Sequence, residues 1–294
     1  MIEHVNESML LPPLIVVAAL EVLLLRRRGW PWDGRDALVS AVIALGQPIA
    51  KFLGAALFAG LFGWVWSQRR WTVPLDTAWG IGLLFLGEEL CYYCYHRCSH
   101  RVRWFWATHA VHHSPEQMNL AGAYRLGWTG GITGTGLFFL PLVALGFAPP
   151  AVFGMLAVNL VYQFWLHTEL VPKLGVLEGI VNTPSAHRVH HARNGPYLDR
   201  NFGGVLLIWD RVFGSYAPER DDIPCDYGLL PPLHSRNPFF INFHEWIALG
   251  RDLKRATNWG DRLRLLTHPP GWQPDPLPPT DSPFSLANSN RTQP

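Results

Sequence analysis

The sequence predicts an all-α fold: a polytopic transmembrane helix bundle of about four to six crossings, with a membrane-proximal helical cap that carries histidine boxes. Three observations lead there. Only 16% of the 294 residues are charged and 49% are hydrophobic, against roughly 25% charged in an average soluble domain. The apolar residues are concentrated between Leu10 and His167, in long stretches with almost no charge. Nine of the thirteen histidines fall between positions 96 and 191, at spacings that share a helix face. Concentrated apolarity argues against disorder and against an ordinary soluble enzyme. A net charge of +2 without a long basic run argues against a nucleic-acid partner. Four cysteines, three of them at Cys91, Cys94 and Cys98, do not make a disulfide framework.

A bilayer core of about 30 Å needs roughly 20 apolar residues per crossing helix. The first stretch, Met9–Leu25, is stopped by Arg26, Arg27 and Arg28. The basic cluster follows the apolar run instead of preceding it, so a retained span is expected, not a signal peptide. The second stretch, Asp36–Trp66, has one internal charge, Lys51, and is too long for one perpendicular crossing. It is either one tilted helix or a bent pair around Gly46, Gln47 and Pro48. A third span, Thr77–Tyr95, runs into the first histidines. Two more, Gly130–Gly146 and Pro150–Leu166, are joined by the breaker Phe147-Ala148-Pro149-Pro150. Within the fourth, the run Gly130-Gly131-Ile132-Thr133-Gly134-Thr135-Gly136 is expected to be helical and to favour close helix packing. The chain divides into N-terminal membrane helices over 1–74, a histidine-bearing unit over 75–220, a cytoplasmic helical region over 221–267 and a disordered tail over 268–294. With Arg26–Arg28 cytoplasmic and the second stretch counted as one crossing, the third and fifth spans both end in the cytoplasm. Arg69 and Arg70 then fall on the far side, against the usual bias.

His96 and His100 form an HxxxH; His109, His112 and His113 form an HxxHH; His187, His190 and His191 form another, and His167 stands alone. On a helix, positions i, i+3 and i+4 lie about 5–6 Å apart on one face. Each box therefore offers two or three imidazoles to one point. Packed together without a metal, so many imidazoles would repel when protonated or leave nitrogens unsatisfied when neutral. Imidazole suits iron, zinc, copper and nickel. A structural zinc needs only four ligands, so two irons held mainly by imidazole are the economical reading. The three clustered cysteines read as small packing residues.

With those boxes, Tyr92-Tyr93 before His96-Arg97 and Ser114-x-Glu116-x-x-Asn119 after His113 resemble the fatty acid hydroxylase (sterol desaturase) superfamily. The resemblance continues through His167-Thr168-Glu169, Asn182-Thr183-Pro184-Ser185, Asp199-x-Asn201-Phe202-Gly203-Gly204 and Trp209-Asp210-Arg211-x-Phe213-Gly214. It covers about 75–220 and is nearest the alkylglycerol monooxygenase and bacterial sterol desaturase-like branch. Ala186 stands where that branch often has a further histidine, and Glu89 where relatives commonly carry Asp. The resemblance implies a di-iron catalytic unit over 75–220, with His96, His100, His109, His112, His113, His167, His187, His190 and His191 as ligands. It implies O2 as co-substrate and a membrane lipid or sterol-like substrate that is hydroxylated or desaturated. Ether cleavage of an alkylglycerol is a variant of the same chemistry.

A ligating imidazole usually donates its other N–H to a carboxylate or carbonyl. Glu89, Glu116 and Glu169 are the expected acceptors, and Asn119 is expected at the metal, directly or through water. Arg97 and Arg188 sit inside boxes and are expected to point outward into salt bridges or lipid headgroups. Asn182 is expected at a helix end or turn. No dinucleotide fingerprint, P-loop or CxxCH occurs. Electrons are therefore expected from a separate donor, a cytochrome b-type protein or a ferredoxin with its reductase. Two other classes fit the pattern less well. A metal transporter or sensor would place its ligands at mid-bilayer, whereas these sit at span ends. A zinc hydrolase would need an open site with a base, and no HExxH occurs.

Overall fold

The computed structural model describes residues 7–30 and 32–274. It is all-helical: α1 (Glu7–Arg27), α2 (Gly34–Ser67), α3 (Ala78–Arg101), α4 (Arg103–His109), α5 (Leu140–Ala144), α6 (Pro149–Phe164), α7 (Pro184–His191), α8 (Ile208–Val212), α9 (Pro238–Arg255) and α10 (Trp259–Thr267), with four short 3-10 turns. Isolated β-bridges occur, but no strand forms among the described residues.

Asp33 caps α2, its carboxylate accepting from the Arg35 and Asp36 N–H groups. From there α2 runs unbroken through Pro48 for 34 residues, which resolves the sequence ambiguity in favour of one helix. At 1.5 Å per residue it is about 51 Å long, and it is the one described helix with the length and apolarity of a membrane crossing. Thr77 caps α3, whose last two turns carry His96 and His100. The long helices meet in a core built from Phe62 of α2, Leu84 and Tyr92 of α3, Phe139, Leu142 and Val143 around α5, and Val152 of α6.

The expected fourth span is not a continuous helix. Residues 128–134 are turns, Thr135–Phe139 is a 3-10 helix and α5 adds five residues. Gly134 adopts φ 86°, a left-handed conformation that ends any helical path there. The glycine run does secure a close approach: a Cβ on Gly54 of α2 would lie 2.4 Å from the Gly131 Cα. α6, at 16 residues, is also short of a perpendicular crossing. The tip of the α5–α6 hairpin is tied to the α2–α3 connection, where Val73 N donates to Gly146 O and Trp71 Nε1 donates to Leu145 O.

The polar end of the bundle is closed by α7–α10. Arg103 of α4 pairs with Asp252 of α9 at 2.6 Å, and its backbone N–H donates to His268 O. Residues 268–274 thus begin the expected tail as a docked segment, Gln273 also reaching Asp252; 275–294 lie outside the described residues.

Candidate metal centre

Four short segments deliver the nine histidines. The end of α3 supplies His96 and His100; α4 and the turn after it supply His109, His112 and His113. His167 lies in the turn after α6. α7 is only eight residues long, begun by Pro184 behind the capping hydroxyl of Thr183, and all eight are buried. Such a helix would not persist alone. Its neighbours hold it.

All nine side chains converge, in two groups. His96, His100, His109, His113 and His190 form one; His112, His167, His187 and His191 form the other. Within each, the potential ligand nitrogens lie within 4.8 Å of one another. The groups abut, with the His113 and His191 rings stacked at 4.4 Å between centroids. In the first, His109 Nε2 faces His96 Nε2 at 3.0 Å and His113 Nε2 at 3.2 Å. In the second, His187 Nε2 faces His167 at 3.0 Å and His191 at 3.1 Å, and His112 faces His167 at 3.3 Å. Burial holds the charged forms of eight of the nine rings at a disadvantage. It lowers His96 to about 3 and His167 to about 4, and puts His109, His112, His113, His187, His190 and His191 well below the usual range, neighbouring imidazoles adding to the effect. At neutral pH these rings carry no charge.

Their tautomers follow from their outer contacts. A carbonyl only accepts, so the nitrogen facing it must carry the proton. His96 Nδ1 faces Phe202 O, His167 Nδ1 faces Gln163 O and His190 Nδ1 faces Arg200 O, each at 2.9 Å. The Nε2 lone pairs of all three are therefore bare and aimed inward. Two of these carbonyls come from the loop 199–204, where Asp199 and Asn201 adopt φ 58° and 56°. Asp and Asn tolerate this left-handed region better than other side chains. The Asn201 amide clamps the loop by donating to Ala186 O and Ala217 O while accepting from Ala217 N. Asp210 accepts from the Phe202 and Gly203 N–H groups. The sequence showed Asp199-x-Asn201-Phe202 only as part of a resemblance. The signal that could have revealed its role is a pair of left-handed-tolerant residues flanking Arg200.

The donor set fits a pair of metal ions. Two nitrogens each about 2.1 Å from one ion, and near a right angle, stand about 3.0 Å apart. The observed separations of 3.0–3.3 Å are of that size. The buried Nε2 of His190 has no hydrogen-bond partner, although its outer nitrogen is satisfied. An imidazole so arranged presents a lone pair to an electrophile.

The expected carboxylate partners lie elsewhere. Glu89 is fully buried, but it accepts from Asn159 Nδ2 and from the Val205 and Leu206 N–H groups. Its role is to anchor the chain just past the 199–204 loop. Glu116 stands 3.8 Å from His234 on the surface, and Glu169 accepts from the Tyr227 hydroxyl. Backbone carbonyls take the place these residues were expected to fill, because the loop packs tightly enough to bring main chain against the rings. Among the described residues, the carboxylate that meets a box histidine is that of Asp199, 3.3 Å from His100 Nδ1. Asn119 accepts from Gly122 N and lies beside His112, His167 and His191 at a small cleft, framed also by Met118 and Tyr227. Arg188 points away from the imidazoles and pairs with Glu219, while Arg97 donates to the Tyr93 hydroxyl. Asn182 does not cap a helix; it donates to Gly203 O and Gly204 O. Cys91, Cys94 and Cys98 are free thiols outside both groups.

Residues 81–215, which hold all nine histidines, match the fatty acid hydroxylase family. Over that stretch the chain is similar to that family. It is similar to the alkylglycerol monooxygenase of Danio rerio, 36% identical over 280 residues, covering 92% of this chain and 60% of that one. The Homo sapiens alkylglycerol monooxygenase is 37% identical over 242 residues, 81% of this chain and 53% of that one. The ornithine lipid hydroxylase OlsE of Rhizobium tropici is 25% identical over 191 residues, 65% of this chain and 56% of that one. The chain thus spans between half and two thirds of the length of these relatives. No solved structure matches the chain.

Proposed function

We propose that this chain is a multi-pass membrane oxygenase of the fatty acid hydroxylase family that uses O2 and two external electrons to hydroxylate a C–H bond of a lipid. The observation that carries this reading is the pair of buried imidazole groups whose Nε2 atoms meet at 3.0–3.3 Å. His96, His100, His109, His113 and His190 would hold one iron, and His112, His167, His187 and His191 the other. Once bound and reduced, such a pair would let O2 take up two electrons and two protons, one oxygen atom entering the substrate C–H bond and the other leaving as water.

The chain's own residues do the rest. Phe202, Arg200 and Gln163 carbonyls fix three imidazole tautomers and ring orientations. Burial excludes water that would quench a strong oxidant. The small cleft beside His112, His167 and His191 marks the side from which a lipid chain would approach the second group. α1, α2, α3 and the two arms of the α5–α6 hairpin would make five passes, which put both His100 and His167 at the cytoplasmic end if Arg26–Arg28 stay inside. A soluble donor, cytochrome b-type or a ferredoxin with its reductase, would approach from there. Desaturation of the same substrate would use the same centre.

A second reading, favoured by the similarity to alkylglycerol monooxygenases, puts the hydroxylated carbon beside an ether oxygen. The product would then collapse to an aldehyde and an alcohol. One experiment tests both. Membranes containing the chain, given 18-O labelled O2, a reductant and lipid extracts with and without ether lipids, should yield a labelled lipid. Turnover without O2 or without reductant would exclude the oxygenase.

A further inference from the structure

α9 buries one face and carries a second apolar stripe outside. Beside Ile241, Ala248 and Leu249, the buried face holds four polar residues, Asn242, His244, Glu245 and Asp252, all 8% exposed or less. They have partners inside the protein, Asn242 Oδ1 accepting from Trp128 N and Asp252 pairing with Arg103. Its outward stripe is apolar for the first turns, with Phe239, Phe240, Phe243 and Ile247 at 66%, 43%, 37% and 46% exposure. The same stripe continues into exposed Arg251, Lys254 and Arg255. α10 repeats the pattern with Trp259 and Leu263 exposed, Arg262 lying over the Trp259 ring at 4.8 Å.

What lies against this face follows from its neighbour. α9 docks on the first turns of α2, where Ile241 joins Val39 and Ile43 in a buried cluster and the Trp128 ring meets Phe239 at 5.3 Å. Arg236, just before α9, pairs with Asp33, the cap of α2, at 2.6 Å. The apolar stripe of α9 therefore runs on from the exposed Leu38, Val42 and Leu45 of the membrane-crossing helix. Its basic end has the charge that suits anionic lipid, and Trp259 is the side chain that gathers at bilayer interfaces. We propose that the outer face of α9 and α10 is embedded in the leaflet at the histidine end of the bundle, Phe239–Ile247 among acyl chains and Arg251–Arg255 among anionic phosphates. The region expected to be cytoplasmic is then an interfacial one. It holds the cap down on the membrane, with the histidine centre at the lipid boundary.

This inference rests on the membrane placement in the proposed function, so its test carries an internal control. The full native chain is placed in nanodiscs of phosphatidylcholine and phosphatidylglycerol containing a lipid with a diazirine at its acyl terminus. After illumination, peptides are mapped by mass spectrometry. Acyl adducts on 239–247 at a yield comparable to those on α2 support the proposal. Adducts on α2 with none on 239–247 overturn it, whether water, a second copy or another protein covers the face. Adducts on neither overturn the membrane placement as well. For the basic end, the triple variant Arg251→Glu, Lys254→Glu, Arg255→Glu should lower co-purified phosphatidylglycerol by at least about fivefold, the worth of roughly one basic residue at an anionic surface. Unchanged phosphatidylglycerol would overturn the headgroup contact.

Discussion

The two histidine groups are made of the same side chain and are closed in different ways. The first, around His109, is walled by rings and a loop: Trp106 and Phe202 pack on His100 at 5.4 and 5.1 Å, and the 199–204 loop supplies carbonyls to His96 and His190. The second, around His187, forms the floor of a cleft through His112, His167 and His191. Nine buried imidazoles are not interchangeable once packed. The first group has its orientation set by a folded loop, whereas the second has a side left open toward Met118, Asn119 and Tyr227. Substrate should therefore meet the second group, and the first should act as its walled partner.

That contrast can be broken by removing the central nitrogen of either group. His109→Ala and His187→Ala should each strip iron from its own group and lower lipid turnover at least about 100-fold, measured by metal analysis and product yield. Iron at the wild-type level in both would end the assignment of ligands. Next in size is the loop. Asn201→Ala loses three clamping hydrogen bonds and must place alanine at φ 56°, so iron affinity of the first group should fall about 10- to 100-fold. A titration with chelator would show a weakened first site and a retained second one.

The cleft gives the converse case. Met118→Trp fills space beside the second group without touching a ligand, and should cost about tenfold in turnover while both irons remain. Iron loss in this variant would mean that the cleft is structural. The smallest effect is on the stability of the iron-free chain against acid. The imidazole pKa values are lowered on folding, His96 to about 3 and His167 to about 4, from an unfolded value near 6.5. Below that value the unfolded chain binds more protons, so stability is complete above about pH 6.5 and falls as pH drops toward 4. The thermal midpoint of chelator-stripped protein should follow that curve, and a flat profile would contradict the burial of the rings.

Periodicity and composition alone made much of this legible. The i, i+4 spacing of His96 and His100, of His109 and His113 and of His187 and His191 marks pairs that reach one group, because helix geometry is local. His112 and His190, at i+3, go instead to the other group and overturn the reading that each box serves one point. The apolar stretch over α2 decides a long helix by the same locality. The fourth span failed where locality ends: a run of glycines and apolar residues reads as helix by hydropathy, yet the left-handed Gly134 and the contact of Gly131 with Gly54 make it a turn. The acceptors of the imidazole N–H groups were illegible for a different reason. Every non-proline residue offers an identical carbonyl, so nothing in the side chains of Arg200, Phe202 or Gln163 marks them.

The sequence by itself thus determined how many imidazoles there are, which i, i+4 pairs of them travel together on one helix face, and that they stand at the ends of apolar segments. These are properties of spacing along one chain. Only the tertiary structure decided that the boxes divide five and four across segment boundaries, so that His113 and His112, adjacent in the chain, serve different groups. Consecutive residues on a helical turn point about 100° apart, and what each one meets depends on the segment packed on that side.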